Sequence, residues 1–194
     1  RCRLVDPDDG EACSVMFRKD RFDVVEKSTF WLSETQNEPG SKSWDSSLPR
    51  IANLVRLTDK QAAGKKIIFI NTHFDHRGKK AREEAAKIIK NRVSILEKGV
   101  GVVITGDFNS GEGSKPYQFM VGGNLIDTFR LVHPTRTEEE STFTAWKGRL
   151  IGNRIDWVLC SPNFRVLSAK IDRTNDQGRY PSDHYPVTAT LNYK

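Results

Sequence analysis

The chain alternates short β-branched apolar runs with polar loops, and one amphipathic stretch interrupts them. Ala81, Ala85, Ile88, Ile89, Val93 and Leu96 recur at helical spacing, and Gly99 follows as a stop. This pattern predicts a helix over 79–98. The runs at 67–73 and 101–105 flank it and are strand-sized and β-branched. Strand, helix, strand in that order predicts a crossover unit. Further strands are expected at 14–18, 51–57, 154–160, 165–172 and 187–192. Those at 154–160 and 165–172 read as a pair joined by the Ser161-Pro162-Asn163 turn. Short helices are expected at 115–121 and 126–131, and 34–47 reads as a polar loop with Pro39 and Gly40. Many strands, few helices and polar residues gathered at strand ends point to an α/β domain whose chemistry sits on loops.

Composition narrows the class. The 194 residues suit a single domain over 1–194, and 37% hydrophobic against 29% charged residues is a globular balance. No apolar run approaches the ~18 residues of a membrane span. The formal charge of +6 favours anionic partners, phosphate esters among them. The basic residues are scattered, and the densest group is Arg77, Lys79, Lys80 and Arg82. Cys2, Cys13 and Cys160 make neither a disulfide framework nor metal-finger spacing, although a Cys2–Cys13 bridge is open. Cys160, in an apolar run, reads as a buried small hydrophobe.

Four segments place carboxylate, amide or imidazole groups just after or within β-type runs. They are Asn71-Thr72-His73-Phe74-Asp75-His76-Arg77, Gly106-Asp107-Phe108-Asn109, Arg154-Ile155-Asp156-Trp157 and Ser182-Asp183-His184-Tyr185-Pro186. Asp107 and Asn109 are two apart, so an extended chain projects them to one side. Together they can hold a water and donate to a phosphate oxygen; an Asp/Asn turn capping the strand is the structural alternative. Asp183 and His184 are neighbours and should point apart, one to a metal and one to a phosphate. Asp156 lies in an apolar stretch where an unpaired charge is expensive, so it needs a partner. A histidine would make the pair catalytic, and Arg154 would make it structural.

The order and rough spacing of Thr72-His73, Gly106-Asp107-Phe108-Asn109, Arg154-Ile155-Asp156 and Ser182-Asp183-His184 resemble the endonuclease/exonuclease/phosphatase superfamily. Phe30-Trp31-Leu32-Ser33-Glu34-Thr35 and Gly40-Ser41-Lys42-Ser43-Trp44-Asp45 resemble its microbial-type branch. The resemblance implies a four-layer α/β/β/α sandwich with two mixed sheets and catalytic loops at one end. It implies a metal-dependent phosphoesterase. Asp107 would orient and deprotonate water, Asn109 would bind the phosphate or nucleophile, and His184, held by Asp156, would stabilise phosphate charge. His73 would donate another hydrogen bond, and Asp183 would help bind Mg²⁺ or Mn²⁺. Arg50, Asp75, Arg77 and Trp146 are candidates for substrate contacts. No long basic insertion of the kind that grips duplex DNA is present, so the expected partner is a small phosphate ester or a single-stranded nucleic acid.

One departure from the family pattern bears on activity. The family's first strand and the Gln-Glu segment that supplies its main metal carboxylate have no counterpart after Arg1. The expectation is a chain lacking the first strands and helix of the sandwich, with weak metal binding and weak or no turnover on its own. A non-catalytic binding module is the rival reading, and a nuclease of non-duplex substrates the other.

Overall fold

A computed structural model describes residues 10–96 and 99–194. Six strands form one mixed sheet: β1 (Phe22–Trp31), β2 (Ile51–Asp59), β3 (Lys65–His73), β4 (Gly101–Asp107), β5 (Ile126–Asp127) and β6 (Asp156–Cys160). Their order is β1-β2-β3-β4-β6-β5. β3 and β4 are parallel and joined by helix α1 (Lys79–Ser94), as the strand-helix-strand pattern predicts; the other pairs are antiparallel. Helices α2 (Lys115–Val121) and α3 (Thr128–Val132) follow. β7 (Phe164–Ile171) and β8 (Val187–Tyr193) make a second, antiparallel sheet. The expected α/β architecture with two sheets is therefore present.

Two apolar layers hold it together. Ala85, Ala86, Ile88 and Ile89 of α1 pack on Leu54, Ile68, Ile70, Val102, Ile104, Trp157 and Leu159 of the large sheet. The opposite face, with Val103, Val158 and Cys160, packs on Phe164 and the inward residues Val187, Ala189 and Leu191 of the small sheet. Alternation along β8 fits this, with Thr188, Thr190 and Asn192 exposed. Burial pushes the Cys160 thiol up to about 11.

Several boundaries differ from the sequence reading. The expected pairing of 154–160 with 165–172 does not form. Ser161 continues β6 against β4, with its N–H donating to Val102 O at 2.9 Å. The chain then changes sheets, and the Phe164 ring lies where a Cβ on Gly101 would sit, 2.5 Å away. Residues 14–18 form no strand. The backbone beside them is held by side chains instead: Asn53 Nδ2 donates to Cys13 O at 2.7 Å and Asn71 Nδ2 to Ser14 O at 2.9 Å. β1 gave no signal because most of it is exposed at the sheet edge. The 126–131 helix is split, since Asp127 closes β5 and accepts from Phe129 N and Arg130 N to start α3. Helix α1 ends at Ser94; Glu97 and Lys98, like Cys2, lie outside the described residues.

Candidate active site

Strand register builds the site. His73 ends β3 and is the register partner of Asp107, which ends β4. Asp107 is in turn the partner of Asp156, which begins β6. Three ionisable side chains from three neighbouring strands thus form one row. Gly106 permits the row, because its φ is +154° and a Cβ there would meet Thr72 O at 2.1 Å. Beneath it lies an aromatic floor, with Phe108 stacked on Trp157 at 4.2 Å and edge-on to Phe74 at 4.9 Å.

His184 joins the row from the loop before β8. Its Nδ1 bonds Asp156 Oδ2 at 2.8 Å, and its Nε2 lies 3.9 Å from Asp107 Oδ2. His73 Nε2 lies 3.2 Å from the same Asp107 oxygen. Asn109 has left the strand at φ +47° and folds back, so that its N–H donates to Asp107 Oδ1 at 2.8 Å and its amide to Asp107 Oδ2 at 3.2 Å. The strand-end turn and the shared side are one arrangement, and the turn, not an extended chain, makes it. Thr142 Oγ1 accepts from the N–H groups of Ile155 and Asp156 at 3.0 and 3.2 Å, fixing the entry to β6. His73, Asp107, Asp156 and His184 border an open cleft of about 390 Å³ that Asn71, Thr105 and Ser182 also line.

The electrostatics follow from crowding. Burial opposes charge on His184, but the Asp156 hydrogen bond and the charges of Asp156, Asp107 and Asp183 carry its pKa up to about 9. Burial, with Asp107 close by, raises Asp156, while His184 pulls it back down. His184 therefore stands as imidazolium at neutral pH.

Asp107, Asp156 and His184 each offer a ligand atom, all within 4.8 Å of one another. That spacing and the carboxylate oxygens suit a small hard cation. His184 Nδ1 and Asp156 Oδ2 already satisfy each other, so Asp107 is the member of the three best able to face an ion. The Asp183 carboxylate stands outside this trio, and the Asp183 carbonyl accepts from Thr144 N at 2.6 Å.

The four expected substrate contacts are dispersed. Asp75 is 2% exposed and accepts from Ser47 Oγ at 2.7 Å, Leu48 N at 3.1 Å, Arg77 N at 2.9 Å and Gly78 N at 2.6 Å. Burial alone would raise its carboxyl, but these donors, Gly78 first, hold it well below the usual carboxylate range. Asp75 belongs to the scaffold that ties two loops together, not to the cleft. Arg77 is exposed, with its backbone engaged by Asp75. Trp146 is exposed on a separate turn. Arg50 is buried, 2.5 Å from Glu11 Oε2 and 3.1 Å from His76 Nδ1. Glu11 is the residue that sequence reading missed. Its Oε2 lies 3.4 Å from His73 Nδ1, and a lone glutamate far from the motifs carries no sequence signal.

Residues 4–184 match the endonuclease/exonuclease/phosphatase family description. Among solved structures, the chain is similar to a Bacteroides thetaiotaomicron mannosyl-6-phosphatase, 34% identical, with a TM-score of 0.79. The match covers 91% of this chain and 69% of that one. A Bacteroides vulgatus endonuclease/exonuclease/phosphatase is 30% identical over 92% of this chain and 69% of its own, with a TM-score of 0.81. The human Nocturnin catalytic domain, 19% identical over 92% and 62% of the two chains, shares the fold with a TM-score of 0.69. No sequence among the curated proteins matches.

Proposed function

Because the chain belongs to the endonuclease/exonuclease/phosphatase family, whose members act on phosphate esters, we propose that it is a divalent-metal-dependent hydrolase of a small-molecule phosphate monoester. The observation that carries this reading is the convergence of His73, Asp107, Asp156 and His184 on one cleft, with His184 bonded to Asp156 at 2.8 Å. The 34% identity to a protein named as a mannosyl-6-phosphatase favours a phosphorylated small molecule.

In this reading water is the nucleophile. Its oxygen attacks phosphorus while Asp107 accepts its proton. The bond from phosphorus to the alcohol oxygen breaks, and the alcohol leaves with a proton from solvent. Asn109 fixes the Asp107 carboxylate through its two hydrogen bonds. His184 donates from Nε2 to a non-bridging phosphate oxygen, because Asp156 occupies Nδ1. His73 donates to a second oxygen. Asp107 would hold Mg²⁺ or Mn²⁺, which when bound would neutralise phosphate charge.

The test is release of inorganic phosphate from a hexose 6-phosphate in the presence of Mg²⁺ or Mn²⁺. Turnover should vanish with a chelator and fall by about 10²–10³ in Asp107→Ala. Cleavage of a single-stranded oligonucleotide without phosphate release from the monoester would replace this reading with a nuclease. Binding of either ligand with no turnover under any metal would leave a binding module.

A further inference from the structure

Asp156 and His184 stand 28 residues apart in the sequence, and each reaches their shared hydrogen bond from a different element. Asp156 begins β6, whereas His184 sits in the loop before β8. A bond between two separately carried side chains stays in place only if something ties the carriers together. The buried segment 142–144 is such a tie, and Thr142 is its first member.

Thr142 is 0% exposed. Burying a hydroxyl costs free energy that a valine of the same shape would not incur, so the hydroxyl needs partners. It finds them on β6. Its Oγ1 accepts from Ile155 N at 3.0 Å and from Asp156 N at 3.2 Å, which uses both lone pairs. Its own hydrogen is left for the Asp156 carboxylate: burial raises that carboxyl, and a hydrogen bond from Thr142 is among the groups that pull it back. The backbone of the same residue serves the other carrier. Thr142 O accepts from Tyr185 N at 2.7 Å, next to His184, and Phe143 bridges His184 itself. Thr144 extends the tie, with its N–H donating to Asp183 O at 2.6 Å and its Oγ1 to Ser182 O at 3.2 Å. One residue thus grips Asp156 with its side chain and the His184 segment with its carbonyl.

We propose that Thr142 is a positioning residue that holds the Asp156 carboxylate in line with His184 Nδ1, and so sets the rate of hydrolysis. The proposal deepens the phosphoesterase reading and rests on it. Thr142 does not line the cleft, so it meets no substrate and works only through the pair. Without the hydroxyl, the entry to β6 and the carboxylate lose one shared anchor. Asp156 then turns from Nδ1, and Nε2 no longer points where the phosphate oxygen arrives. A displacement of about 1 Å costs on the order of 10² in rate where reacting groups must align.

The experiment compares wild type with Thr142→Val, which keeps the shape and deletes the hydroxyl, and with Thr142→Ser, which keeps the hydroxyl. KM and kcat are read by phosphate release from a hexose 6-phosphate with Mg²⁺. The His184 Nδ1 proton is read by NMR, where a bond to a carboxylate holds it at low field. Thr142→Val should lower kcat by about 10–10², with KM near that of wild type, and should move the proton upfield. Thr142→Ser should restore both. In a His184→Ala background, Thr142→Val should cost nothing further, because groups that act as a unit do not add. If Thr142→Val does not fold, Thr142→Cys, with its weak S–H, carries the test and should give the same changes in smaller measure. An unchanged kcat, an unmoved proton, a Thr142→Ser that restores neither, or an equal further loss in the His184→Ala background would overturn the proposal and leave Thr142 a part of the scaffold. The proton is observed without substrate. A wild type that releases no phosphate would therefore sink the phosphoesterase reading, while an upfield shift in Thr142→Val would still show the grip on the pair.

Discussion

Arg154 and Asp156 are two residues apart, yet they belong to charge clusters of opposite kinds. Arg154 is enclosed, with its side chain 0% exposed. It bonds Glu112, and Asp127 at 2.5 Å, and its guanidinium lies 4.9 Å from the Phe129 ring centre. Arg130 extends the cluster to Glu112 at 2.8 Å and Glu140 at 2.5 Å. Each carboxylate there meets a guanidinium. Around Asp156 the members are two carboxylates and two imidazoles, each 16–27% exposed and open to a cleft. A closed cluster uses its field on its own members and holds the fold. An open one with no guanidinium or ammonium among its described members keeps its field for a charge arriving from outside.

Substitutions should separate the two. The largest effect is expected at Arg154→Met, which leaves Asp127 buried without its guanidinium and Glu112 with Arg130 alone, and should cost about 3–5 kcal/mol of stability. A urea titration reads this, and kcat of the folded fraction should stay near that of wild type. A large loss of kcat at constant stability would erase the distinction. His184→Ala should do the reverse, lowering kcat by about 10²–10³, or roughly 2.7–4 kcal/mol, with a smaller shift in the urea midpoint than Arg154→Met.

A pH series sharpens the contrast. The folded pKa of His184, about 9, lies above its ordinary 6.5. The stability it adds is therefore complete below about 6.5 and is lost as pH rises through about 9. Activity that needs the imidazolium should fall over the same upper range. Asp156→Asn removes the strongest partner that raises it, so the break should move to lower pH. A profile that stays put would show that His184 is not the titrating group. The smallest effect belongs to Tyr117→Phe, which deletes the 2.9 Å hydrogen bond to Asp127 and should cost about 1 kcal/mol. A loss as large as that of Arg154→Met would mean that Tyr117 is as important to the closed cluster as the guanidinium.

The contrast also shows what the sequence could reveal. The crossover around α1 was legible because burial on one face imposes helical spacing on Ala81, Ala85 and Ile88. Asp107, Asp156 and His184 were legible because charged groups beside apolar runs must find partners. Which partner each takes was not legible: Arg154 was a possible mate for Asp156 until the fold gave it Glu112 and Asp127. β1 was hidden because an edge strand with exposed side chains needs no alternation. The Ser161-Pro162-Asn163 turn was visible as a turn, but nothing local says which sheet the chain enters next. Glu11 was out of reach because its relation to His73 is wholly tertiary.

Since His73, Asp107 and Asp156 face one another as ladder partners, chemistry here is tied to counting. A strand slipped by one residue would send its side chain to the opposite face. Deleting a single residue of β3 ahead of Asn71 would therefore disarm the pocket without touching a motif. β3 and β4 tolerate no change in length upstream of their last residues, and β6 none downstream of its first.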